Sequence, residues 1–221
     1  MFMIVHSMTF TEIQNELYND LPTLKNKILY CQKEFKRRVL KASRYPFAYS
    51  YDCYTRIKKN HFILTFTAMK RSGKKNPLVG VYGLYTRAEG VYAVALAIEE
   101  EFITIFSPHF FKRYRERIAK DFLASAGDLI KRYFATHRGF SYAVLSEDMK
   151  AVYRSLENKI DDGSDCFVCV TTAGYCFGER QGNIYIMKTI VSEDMLFENQ
   201  KKTFSDLREK FIRTNKELYG I

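Results

Sequence analysis

Residues 47–106 contain FAYSYDCYT (47–55), HFILTFTAM (61–69), RSGKKNP (71–77), LVGVYGLYT (78–86), RAEG (87–90), VYAVALAI (91–98) and EFITIF (101–106). Aromatic and β-branched runs broken by Gly, Pro, Asn and Ser predict four or five antiparallel strands. The connection at 71–77 sets Gly73 between Arg71 and the pair Lys74 and Lys75. It reads as an exposed basic hairpin tip.

Upstream of this block, Thr9 with Glu12 three residues on predicts a capping box, and Pro22 ends that first short helix. A second helix should start near Thr23. Leu24, Ile28, Cys31, Phe35 and Val39 recur at spacings of four and three, while Lys25, Lys33, Lys36, Arg37, Lys41 and Arg44 occupy much of the remainder. This predicts an amphipathic helix with a basic outer face.

Downstream, Ser107-Pro108 is a strong helix start, with helical texture broken near Gly127 and Gly139 and running to about Ile160. A second β block follows: CFVCVTTA, YCFGER and NIYIMKTIV, joined by hairpin turns at Ala173-Gly174 and Gln181-Gly182-Asn183. A helix over about 199–219 closes the chain. The expected class is therefore α+β: N-terminal helices, an antiparallel sheet over about 47–106, central helices, a second hairpin sheet over about 165–191, and a C-terminal helix. One unit over 1–221 is the simplest organisation, with a boundary near residue 107 as the alternative.

The 221-residue chain is 47% apolar and 27% charged, with 4 prolines and 11 glycines. Such a composition excludes disordered and fibrous classes and supports a core without disulfides. The longest apolar stretch, Val91–Ile98, is far too short to cross a bilayer, and the opening residues do not read as a secretory signal. Five scattered cysteines, Cys31, Cys53, Cys166, Cys169 and Cys176, fit a reducing cytoplasm. Cys166 and Cys169 have zinc-knuckle spacing, but a strand would point them to opposite faces. Asp161 to Asp165 resembles the start of a calcium loop, yet Cys166 stands where the turn glycine belongs. No metal and no other cofactor is expected. The net charge is +10, and it is uneven: residues 1–60 carry +6, 61–150 carry +5 and 151–221 carry −1. An anionic partner should therefore meet the first two-thirds of the chain.

In PHFFKRYRERI, His109, Arg113 and Arg117 are spaced by four and four, along one side of a helix, while Phe110, Phe111, Tyr114 and Ile118 would face the core. A neutral histidine in the first turn can take a proton from an attacking hydroxyl. Two arginines one and two turns on can hold a phosphodiester and stabilise its developing charge. The same pattern also suits the polar face of an ordinary amphipathic helix.

Residues 105–197, with His109, Arg113 and Arg117 followed by the strands at 166–191 and by Lys188-Thr189-Ile190-Val191-Ser192, resemble the superfamily containing barnase, EndoU, the colicin nucleases and RelE-type toxins. The resemblance implies a metal-independent endoribonuclease, with His109 as acid or base and Thr189 or Ser192 binding the scissile phosphate. Ser192 is also a good helix N-cap before Glu193 and Asp194.

Three readings follow. One is a cytoplasmic, toxin-like ribonuclease acting through His109, Arg113, Arg117 and Thr189. The second is a non-catalytic nucleic-acid-binding protein that meets phosphates with Lys36, Arg37, Lys41, Arg44, Arg71, Lys74 and Lys75 and stacks bases on tyrosines. The third is an interaction protein of a phage or mobile element with a protein partner. RNA or another nucleic acid is the expected partner in the first two, and a membrane in none.

Overall fold

Thr9 and Glu12 close the expected capping box: the Thr9 hydroxyl accepts from the Glu12 amide, and the Glu12 carboxylate accepts from the Thr9 amide at 2.7 Å. They start α1 (Phe10–Asp20) in a computed structural model that describes residues 4–97, 102–137, 141–156 and 165–219. Pro22 sits in a 3-10 turn, Leu21–Leu24, and α2 (Lys25–Lys41) follows directly. α2 ends where Ala42 turns extended, with Arg38 and Lys41 in its last turn, where cations meet the negative end of the helix dipole. The Tyr45 hydroxyl donates to the Val39 carbonyl, one of the acceptors the helix end leaves over.

The fold is α+β. The chain divides into two compact units, residues 1–105 with 126–136, and residues 106–125 with 137–221. The first unit holds β1 (Phe47–Tyr54), β2 (His61–Ala68), β3 (Leu78–Arg87), β4 (Gly90–Leu96) and most of β5 (Ile103–Phe106), in that spatial order. β1 through β4 are consecutive antiparallel neighbours. Odd residues of β1 face α2: Phe35 packs on Phe47 at 5.8 Å and on Phe66, opposite Tyr49 in the ladder, at 5.7 Å. Even residues face α4 (Ala126–Thr136), through the Lys131–Asp52 ion pair and the Tyr82–Phe134 stack. With helices on both sides, β2 is buried over all but its first residue, which is why HFILTFTA is a nearly continuous apolar run.

A polar network fixes the β1–β2 turn beneath α1. Asn60, 3% exposed, donates through its carboxamide to Glu16 and to Asp20 at 3.0 Å each, and Lys58 pairs with Glu16. Buried carboxylates one helical turn apart are tolerable because each finds a donor.

The second unit orders its strands β9 (Ile184–Val191), β8 (Gly174–Gln181), β7 (Asp165–Thr171) and β6 (Ser141–Val144), all antiparallel. Both hairpins fall at the expected turns. Cys166, Val168 and Val170 join Tyr153, Phe177, Phe204 and Phe211 in one core face. Cys169 alternates to the other, so the two cysteines are parted as a strand requires. All five cysteines are buried free thiols. The Asp161–Ser164 part of the calcium-like run and Gly139 lie outside the described residues.

Three local expectations are corrected. The helical texture after Ser107 is not continuous: α3 (Pro108–Tyr114) passes into a π-turn, Arg115–Ala119, and stops where Lys120 turns left-handed (φ 49°) and its amide donates to the Arg115 carbonyl. Beyond α4, residues 141–144 form β6 before α5 (Glu147–Leu156). The closing helix is two, α6 (Glu198–Thr203) and α7 (Ser205–Tyr219), because Phe204 leaves the helix to bury its ring against Tyr175 and Phe177. Among the described residues no helix is long and apolar enough to cross a membrane.

Candidate nucleic-acid interface

The His109 helix begins as its sequence demands. Ser107 caps it, accepting from the Phe110 amide at 3.1 Å, with Pro108 at the first position. Phe110, Phe111 and Tyr114 are buried against Phe106 and β9. His109 is exposed on the outer side.

The partners beyond His109 differ from a phosphate clamp. Arg113 pairs with Glu116 at 3.1 Å, which places a carboxylate where a phosphate would have to approach. Arg117 reaches inward: its Nη1 donates to the Thr189 hydroxyl and to the Ile190 carbonyl, each at 2.9 Å. The π-turn turns each residue by less than the 100° of an α-helix, so Arg117 leaves the stripe that spacing by four predicts. Thr189 is 0% exposed on β9, and in this geometry it offers no surface to a phosphate. Arg117 and Thr189 instead tie the π-turn to β9. Ser192 precedes only a 3-10 turn, Glu193–Met195, without a side-chain cap.

Sequence reasoning missed a neighbouring cluster: His137 Nε2 lies 3.0 Å from the Tyr114 hydroxyl and its Nδ1 3.2 Å from the Thr172 hydroxyl, in the turn between β7 and β8. No spacing in the sequence links positions 114, 137 and 172. Among the described residues no cluster of His, Cys, Asp and Glu is arranged to hold a metal ion.

The seven basic residues expected to meet phosphates fall in the first unit, and its topology gathers them. Phe47, the first residue of β1, pairs with Ala68, the last of β2. The C-terminal half of α2 leads into Phe47 through residues 42–46, and Ala68 leads into the short 3-10 turn Arg71–Lys74, which touches α2. Lys36, Arg37, Lys41, Arg44, Arg71, Lys74 and Lys75 therefore share one end of the unit. All are exposed except Lys74, which is half-buried. Residues 33–44 and 70–75 contain ten basic side chains and one acidic, Glu34, and leave the rest of the chain at a net +1.

Opposing charge there is weak. The Arg37–Glu34 pair is 2.6 Å long but solvent-exposed, so it holds Arg37 by at most about 1 kcal/mol and gives way to a phosphate. The Arg38 guanidinium lies 3.9 Å over the Tyr49 ring, which is edge-on to Tyr51 at 4.8 Å. Burial pushes the Tyr51 hydroxyl above its ordinary range against the pull of Arg38, so it stays a neutral hydrogen-bonding group. On the opposite face, burial disfavours the charged form of Asp52, yet Lys131 and His61 hold it below the ordinary carboxylate range. Its charge is thereby neutralised away from the basic end.

No family model, curated protein or solved structure matches this chain.

Proposed function

We propose that the protein binds nucleic acid without cutting it, through the basic end of its first unit. The observation that carries the reading is the convergence of residues 33–44 and 70–75, which together account for +9 of the net +10. Such a surface attracts polyphosphates by releasing their counterions, a drive that needs no sequence-specific contact. Planar guanidinium groups at Arg37, Arg44 and Arg71 suit bidentate phosphate contacts, and the lysines add point charge.

The ribonuclease reading draws less support. Exposed His109 favours it, but burial of Thr189 and the internal bonds of Arg117 remove two of the four groups it needs. Fluorescence anisotropy with labelled RNA separates the two. Binding reads as salt-dependent and unaffected by His109→Ala, with the RNA intact after incubation in EDTA. Cleavage in EDTA to a cyclic phosphate, abolished by His109→Ala, overturns the binding-only reading. Preference for anionic vesicles over RNA at equal salt overturns it in favour of a membrane surface.

A further inference from the structure

On α2, Asn26, Tyr30, Lys33, Arg37 and Lys41 are exposed and lie within about 80° of arc, a single stripe in which Tyr30 and Lys41 are about 16 Å apart along the axis. At the Tyr30 end the stripe runs into a groove of about 420 Å³ between α2 and the edge strand β1. Tyr30, 65% exposed, and Tyr51 line it with the buried Cys31 and Cys53 and with Asp52, whose carboxylate is paired with Lys131 and His61. Burial pushes the Cys31 thiol up to about 12 and raises Cys53 as well, so both thiols are uncharged at neutral pH. Asn26 and Lys27 stand at the rim, and the Lys27 ammonium donates to the Tyr54 carbonyl.

Resting on the nucleic-acid reading above, we propose that this groove receives an unstacked base of a single strand whose phosphates run along Lys33, Arg37 and Lys41. Its volume lies in the range of clefts that hold small ligands. An exposed tyrosine beside two neutral thiols gives a base a stacking surface, and the Asn26 carboxamide offers both a donor and an acceptor to a base edge. Cations and aromatic ring on one helix face form the combination by which proteins hold single strands without reading sequence. A duplex keeps its bases stacked inside and has none to offer the groove.

The test compares three fluorescein-labelled probes by anisotropy at one salt concentration: a single strand of about 15 nucleotides, an abasic strand with the same number of phosphates, and a duplex of the same length. The base-bearing strand should bind roughly fivefold or more tighter than the abasic one. Tyr30→Ala should erase that preference and Tyr30→Phe keep it, with the salt dependence equal in all three proteins. Tyr30 is exposed on a helix, where alanine is well accommodated, so the variant folds. Equal binding of base-bearing and abasic strands, tighter binding of the duplex, or a Tyr30→Ala protein that keeps the preference overturns the groove while leaving the phosphate-binding reading intact. Absence of salt-dependent binding to every probe overturns that reading itself, and the groove with it.

Discussion

Replacing Thr189 with valine keeps the shape of a fully buried side chain and removes one acceptor from Arg117. A bond from a charged donor to a buried hydroxyl contributes about 1.5–3 kcal/mol. Here the guanidinium keeps its 2.9 Å bond to the Ile190 carbonyl and is only partly buried, which brings the expected loss to about 1 kcal/mol. For a chain of this size that lowers Tm by about 2–4 °C. Arg117→Ala breaks both bonds and should cost about twice as much. Calorimetry gives the Tm, and anisotropy with labelled RNA is measured on the same preparations. If Thr189 and Arg117 only tie the π-turn to β9, both variants melt earlier and bind RNA as the wild type does. A Thr189→Val protein with wild-type Tm and weakened RNA binding, or with lost cleavage, would refute that assignment.

Asp52→Asn should show where its two ion pairs act. The folded carboxyl titrates below its unfolded value, so its contribution is present above about pH 4 and is lost as pH falls through the lower folded value. Urea midpoints for wild type and variant should therefore differ at pH 7 and draw together as pH falls below about 4; a difference that stays constant down that range would exclude the ion pairs as its source. Gly174→Ala tests the β7–β8 turn: at φ 138° an added Cβ would collide with the Val191 carbonyl oxygen. A loss of about 2 kcal/mol or more in denaturant unfolding is expected, and wild-type stability would show that the turn is not strained this way.

Local signals were legible in the sequence wherever a side chain closes its own backbone. Thr9 with Glu12 and Ser107 with Pro108 each satisfy amides within three residues, and they start helices as read. The hairpins at Ala173-Gly174 and at Gly182 follow from positive φ at the glycines. What failed depends on distant partners. The π-turn at Arg115–Ala119 is held by a guanidinium bonded to residues 72 and 73 positions away, and Phe204 leaves its helix for two rings on β8. β6 has four residues, too few for alternation to register.

The site divides along the same line. The basic character of α2 and of the 71–75 turn can be counted from the sequence, but their meeting rests on the pairing of Phe47 with Ala68, a register no composition reveals. Conversely, Thr189 entered as a phosphate ligand through a family resemblance carried by a short motif, and its burial beneath the Arg117 guanidinium depends on contacts 72 residues apart that no local pattern encodes.

The most direct test of the basic end is the salt dependence of single-stranded RNA binding by wild type and by a protein carrying Lys41→Gln, Arg44→Gln, Arg71→Gln and Lys74→Gln. Each lost phosphate contact should flatten the plot of log K against log salt by about 0.7, so the variant slope should be shallower by about 3 and its affinity lower at every low-salt point. A variant whose slope and affinity match the wild type would contradict the account.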